Sequence, residues 1–139
     1  MKVLIAYGST TGTTESISEL IKQNMNHDVQ IINIREVKEE EIKAADTVLL
    51  GSSTWGYGEL QDDFSDYIDL IDSSTYGGKN VAVFGAGDAD GFADVFCEAV
   101  NIISEKLESA GANIVSEPLK VSGSPEDSLE NIKTFAASI

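Results

Sequence analysis

Short apolar runs alternate with amphipathic stretches along the chain. Val3-Leu4-Ile5-Ala6 is apolar throughout, and Ile17, Leu20, Ile21 and Met25 then recur at helical spacing. That order reads as a strand followed by a helix. Val29–Ile34 predicts a second strand, and Glu39-Glu40-Glu41 opens a short helical turn with a solvated charged face. Thr47-Val48-Leu49-Leu50 predicts a third strand, with the continuous apolar run of a parallel strand covered on both faces. Phe64, Tyr67, Ile68 and Ile71 follow at spacings 3, 4 and 7, which predicts an amphipathic helix over 62–72. Val81–Phe84 is a fourth strand. Phe96, Val100, Ile103 and Leu107 stripe a helix from about 93 to 110, stopped by Gly111. Ile114–Val115 and Leu119–Val121 are two pieces of a fifth strand, interrupted near Pro118. Ser124-Pro125-Glu126-Asp127 caps a last helix, with Pro at its first position.

Five strand-then-helix alternations predict an α/β fold: a doubly wound parallel sheet with helices on both faces. Right-handed crossovers bring every strand-to-helix loop to one edge of the sheet, where ligands bind at the switch point of strand order. Those loops are residues 7–14, 51–61 and 85–94. With 139 residues and 42% apolar content, the chain is expected to be a single domain, 1–139, with its own core.

Composition narrows the partners. No run of eighteen apolar residues occurs, and the start lacks a secretory signal pattern, so no membrane contact and a cytoplasmic location are expected. The single cysteine, Cys97, allows no intramolecular disulfide. A net charge of −15 weighs against nucleic acid. Residues 44–105 hold twelve acids against one base, Lys79, and so carry −11 of that charge. This concentration suits a docking face for a basic partner, with solubility alone as the plain alternative.

The candidate chemistry starts in the first loop. Ser9, Thr10, Thr11, Thr13 and Thr14 put five hydroxyls into six positions around Gly12, at the start of a helix. Free backbone N–H groups at a helix N-terminus attract anions. No Lys or Arg lies between Lys2 and Lys22, and the nucleotide-hydrolysing Gly-Lys-Ser/Thr ending is absent. A phosphate monoester held by neutral donors fits this loop; a simple helix cap needs only one of the hydroxyls. The second loop reads Ser53-Thr54-Trp55-Gly56-Tyr57-Gly58 and contains the only tryptophan, which either packs on the core or covers a ligand. The third reads Gly85-Ala86-Gly87-Asp88-Ala89-Asp90-Gly91-Phe92, with Phe92 as a second aromatic wall. Together the loops describe a flat heteroaromatic ring with a phosphate tail.

The residues Tyr7-Gly8-Ser9-Thr10-Thr11-Gly12 with Thr14-Glu15, Ser53-Thr54-Trp55-Gly56, Glu59-Leu60-Gln61-Asp62-Asp63-Phe64, Phe84-Gly85 with Gly87-Asp88, and Phe96-Cys97-Glu98-Ala99-Val100 resemble the flavodoxins. The resemblance spans nearly the whole chain. The unbroken run through Val115–Val121 matches the short-chain type. It implies a five-stranded parallel sheet of order 2-1-3-4-5, a non-covalently bound FMN, and a low-potential single-electron carrier, not an enzyme. It further implies that Ser9 through Thr14 bind the FMN phosphate, and that Ser53, Thr54, Trp55 and Gly56 line the isoalloxazine, with Trp55 stacked. Gly87 and Asp88 would meet the pyrimidine edge, with Tyr57, Gly58, Ala86 and Phe92 completing the pocket. The third loop departs from the family: Ala89, Asp90 and Gly91 stand where Tyr or Trp usually covers the outer flavin face. The implied partners are basic surfaces of larger redox proteins, met by a monomer.

No other constellation competes. His27, the only histidine, falls at the end of the first helix and not in a cleft near a nucleophile, as a triad would need, and no His/Cys cluster exists for a metal. An FMN-dependent quinone reductase on the same scaffold is the first alternative, because the third loop lacks the usual aromatic cover. A phospho-acceptor signalling domain is the second, but it would need an Asp where the third strand ends Leu50-Gly51-Ser52-Ser53.

Overall fold

A computed structural model describes residues 1–8, 12–55, 59–60, 62–87, 98–122 and 125–139, with positions 54, 55, 59, 60 and 127 described by backbone alone. The elements run β1 (Lys2–Gly8), α1 (Thr13–Gln23), β2 (Asp28–Asn33), α2 (Glu39–Ala44), β3 (Thr47–Trp55), β4 (Glu59–Leu60), α3 (Asp62–Tyr67), α4 (Ser73–Tyr76), β5 (Asn80–Gly87), α5 (Glu98–Ser109), β6 (Asn113–Ile114), β7 (Leu119–Ser122) and α6 (Leu129–Ala137). The strand order is β2-β1-β3-β5-β6, with β7 also beside β5. All of these pair in parallel; only β4 is antiparallel, against the end of β3. Counting β6 and β7 as the two pieces of the broken fifth strand, this is the expected order 2-1-3-4-5.

The apolar runs are continuous because alternate residues fill two separate cores. Leu4, Val48, Leu50, Val81 and Val83 face Ile42, Phe64, Tyr76, Ile103 and Leu107 on one side. Val3, Ile5, Leu49, Ala82 and Phe84 face Ile17, Ile21, Ile132 and Phe135 on the other. A two-residue period buried on both faces leaves no polar position to mark the pleat.

Several elements differ from the expectation. β3 runs five residues beyond Leu50, so Gly51 through Trp55 are strand, not loop. The strand then pairs back on itself, Thr54 with Leu60 and Trp55 with Glu59. The helix expected over 62–72 ends as α-helix at Tyr67 and continues as a 3-10 turn over Ile68–Leu70. α4 was not anticipated; Asp72 starts it by accepting from the Thr75 amide. Pro125 opens a 3-10 turn, Pro125–Ser128, and α6 begins after it. The stop at Gly111 is as expected. Gly111 has φ +82°, and the Ala112 and Gly111 amides donate to Leu107 and Glu108 carbonyls at 3.0 Å. That left-handed exit is open to glycine at little cost.

Two close approaches fix the middle of the sheet. A Cβ at position 51 would fall inside the Phe84 ring. A Cβ at position 85 would lie 2.5 Å from Val100 and 2.7 Å from the Ser52 carbonyl. Glycine lets β3, β5 and α5 pack at this distance where the strands approach their carboxyl ends.

Candidate functional site

β1, β3 and β5 end together, with Gly8 opposite Ser52, Ser53 opposite Ala86 and Gly87 opposite Ser122. This is the carboxyl edge of a doubly wound sheet, where β1 and β3 diverge to opposite faces. α1 starts here. Its N-cap is Gly12, at φ +89° and ψ −2°, and no side chain among the described residues caps it. Among the described residues nothing lies within 4 Å of where a Gly12 Cβ would stand. The first turn carries Thr13, Thr14 and Glu15, and the first helical bond runs from the Ser16 amide to the Gly12 carbonyl at 3.0 Å.

Thr14 is fully buried on this turn. Its Oγ1 lies 2.6 Å from Ser53 Oγ on β3. Ser53 points to the α1 side because the alternation of Leu49 and Gly51 continues unbroken into it. The pair has two hydroxyl protons. One bridges the oxygens, and the other has no partner among the described residues. Around the pair the backbone is held. Ser18 Oγ donates to the Thr14 carbonyl at 3.0 Å, and Ser52 Oγ donates to the Ser53 carbonyl at 2.9 Å.

The donor set is neutral, as the loop composition requires. The nearby Tyr7 phenol is raised above its ordinary value, first by burial and then by the Glu15 charge, and the Asn33 side chain partly offsets this. Tyr7 therefore stays a neutral phenol. Arg35, the only arginine of the chain, follows β2 and lies 3.5 Å from Asp63 on α3. Among the described residues no group of His, Cys, Asp or Glu is arranged to hold a metal. No described helix is long and apolar enough to cross a membrane.

Of the expected site residues, Gly12, Thr13 and Thr14 come together with Ser53, and Ser53 stands beside Ala86 and Gly87. The backbones of Thr54 and Trp55 continue β3 to its end. Ser9, Thr10, Thr11, Gly56, Tyr57, Gly58, Asp88 and Phe92 lie outside the described residues. Ser52 was not anticipated. Its signal was available: continuing the two-residue period past Leu50 places Ser52 on one face and Ser53 on the other.

The buried Thr14–Ser53 hydroxyl pair on the first turn of α1 has the donor chemistry that the phosphate end of FMN would need. The fold is a doubly wound α/β sheet, and this carboxyl edge is where such sheets take ligands. The family model for flavodoxin matches residues 5–135. A flavodoxin from Maridesulfovibrio salexigens is 44% identical over 131 residues, which cover 90% of this chain and 88% of that one. Flavodoxin 1 of Escherichia coli is 39% identical over 112 residues, 80% of this chain, and the match spans 64% of that longer protein. The crystal structure of oxidised Flavodoxin 2 from Bacillus cereus superposes with a TM-score of 0.91 at 41% identity, covering 99% of this chain and 97% of that one. The chain belongs to the flavodoxin family. Membership carries the family's general character: an electron carrier that works through FMN, not an enzyme.

Proposed function

We propose that this chain holds one FMN non-covalently at the carboxyl edge of its sheet and passes single electrons between larger redox proteins with basic docking surfaces. The observation that carries the reading is the Thr14–Ser53 hydroxyl pair on the first turn of α1. When bound, FMN supplies a ring that can accept and release electrons one at a time. The protein supplies the rest. The amides of Thr13, Thr14 and Glu15 and the hydroxyls of Thr14 and Ser53 would hold the phosphate. Ser9, Thr10 and Thr11 would add donors from the loop before them.

The ring would lie beyond β3 and β5, against Thr54, Trp55 and Gly56 on one side and Ala86, Gly87 and Asp88 on another. Tyr57, Gly58 and Phe92 would complete its surroundings and exclude water from it. Thr54 and Trp55 end β3 and Ala86 and Gly87 end β5, so the sheet would set where the ring lies.

The partners follow from charge. Asp62 and Asp63 start α3, directly after the β3–β4 ribbon, and Asp66 lies on the same helix. A surface of this sign steers a positively charged partner to the carrier. We place the working protein in the cytoplasm as a monomer; its single cysteine leaves no intramolecular disulfide that would call for an oxidising compartment. The test is stopped-flow transfer from the dithionite-reduced, FMN-loaded protein to a basic cytochrome across an ionic-strength series. The rate falls as salt rises if basic docking holds. A rate indifferent to salt would leave the acidic surface serving solubility alone.

A further inference from the structure

Four residues form a polar chain across the carboxyl edge, from the end of β1 to the start of α3. Tyr7 on β1 stands opposite Asn33 at the end of β2, and its phenol is hydrogen-bonded to the Asn33 side chain. Asn33 Oδ1 accepts from the Arg35 amide at 3.0 Å and from Arg35 Nε at 3.4 Å. With that oxygen occupied, the Asn33 NH2 is the group left to meet the phenol oxygen. Arg35 Nε in turn lies 3.5 Å from Asp63 Oδ2, in the first turn of α3.

The two ends of this chain belong to the two halves of the site. Tyr7 directly precedes Gly8, where β1 ends and the hydroxyl-rich sequence begins. Asp63 follows closely on β4, which pairs with Thr54 and Trp55 at the end of β3. One side of that ribbon, β3, is fixed by the sheet. The other, β4, has β3 alone as strand partner among the described residues. Its far end is therefore set by where α3 starts.

Arg35 is suited to hold that start. An exposed ion pair is usually weak, because two long side chains must be ordered for one contact. Here Asn33 already orders the guanidinium, and Asp63 is short and only 25% exposed, against 65% for Arg35. The planar guanidinium can face both oxygens at once, which the point charge of a lysine does not reproduce. We propose that Arg35 is a positioning residue: acting through Asp63, it holds the start of α3 and with it the β3–β4 ribbon, so that Trp55 is kept in place for the flavin ring. The proposal rests on the reading that FMN binds at this edge. Because Arg35 acts on the ring wall and not on the phosphate, its loss is felt equally by flavins with and without a phosphate.

The test compares Arg35→Met, Asp63→Asn and the double variant with the unmodified protein. Each is titrated with FMN and with riboflavin, followed by tryptophan emission. Either single change should weaken both flavins by the same factor, roughly two- to fivefold, the scale of one partly exposed pair. The double variant should bind no more weakly than either single one. A loss confined to FMN would overturn the proposal, because Arg35 would then act as a charge felt by the phosphate. So would additive losses in the double variant, or unchanged affinity for both flavins. Amide hydrogen exchange of the flavin-free protein gives a second readout. Arg35→Met should speed exchange at Leu60 and Asp66 but not at Ile103 on α5, and unchanged rates at Leu60 and Asp66 would also overturn it. If the unmodified protein binds neither flavin, the FMN reading fails on its own, and the exchange rates still decide whether Arg35 holds α3.

Discussion

Thr14 and Ser53 are 39 residues apart in sequence, yet their hydroxyl oxygens lie 2.6 Å from each other in the buried seam between α1 and β3. The contact ties the first turn of α1 to the strand that leads to Trp55. A charged phosphate at this seam would draw on hydroxyls that are already placed, so little ordering is left for the ligand to impose.

Thr14→Val keeps the shape of the side chain and removes the hydroxyl. FMN affinity should fall by roughly 1.5–3 kcal/mol, the scale of a hydrogen bond to a charged group. Riboflavin, which lacks the phosphate, should lose much less. Isothermal titration of both ligands against both proteins gives the comparison, and equal losses would remove Thr14 from phosphate binding.

Trp55 ends β3, and the family resemblance implies that it stacks on the flavin. As the only tryptophan, it reports on itself. Adding FMN to apoprotein should quench its emission strongly. Trp55→Ala should weaken FMN by about 1–3 kcal/mol, the scale of aromatic stacking on a heteroaromatic base. Unchanged emission at saturation would place the indole away from the ring.

The strand-helix alternation, the sheet order and the start of α1 were legible in the sequence. Apolar runs such as Val3–Ala6 and Thr47–Leu50 and the glycine stop at position 111 each have a local cause. The far end of β3 was not legible. Gly51-Ser52-Ser53 has the composition of a loop, and only pairing with Gly8 and Ala86 on its two sides holds it extended. β4 was missed for the same reason, since Glu59 and Leu60 are strand only through Trp55 and Thr54. The helix over 62–72 was drawn too long because its apolar spacing persists through Ile71. There the 3-10 turn places Ile71 in the core and leaves Leu70 outside. The Thr14–Ser53 contact needed three dimensions, because neither residue type nor spacing specifies which hydroxyls meet.

Gly51→Ala should destabilise the fold by about 1–3 kcal/mol, because its Cβ would enter the space of the buried Phe84 ring. Combining it with Phe84→Leu should cost less than the sum of the two single changes, since they share one volume. Urea unfolding of the four proteins measures the coupling. Strict additivity would show that the ring and position 51 do not compete.

The buried phenols give the fold an alkaline limit. Tyr67 and Tyr76 are both raised above the ordinary value of 10.0, chiefly by burial. Above about pH 10 the unfolded chain releases these protons while the folded one keeps them. Stability is therefore complete below that pH and declines as pH rises further. Tyr76→Phe should make the decline shallower, and at neutral pH it should cost about 1–2 kcal/mol for the hydroxyl partner left on Tyr67. Thermal unfolding between pH 7 and 11 tests both signs. A variant whose alkaline slope matches that of the unmodified protein would exclude the Tyr76 phenol as a source of the limit.

The central claim is that this sheet edge recognises FMN through its phosphate, using neutral donors on α1 and β3. Titration of the unmodified apoprotein with FMN and with riboflavin, followed by flavin and tryptophan fluorescence, tests it most directly. One equivalent of FMN should bind, at least about tenfold more tightly than riboflavin, since a single charge-assisted bond already supplies that factor. Equal affinity for the two flavins, or no saturable binding of FMN, would contradict the account.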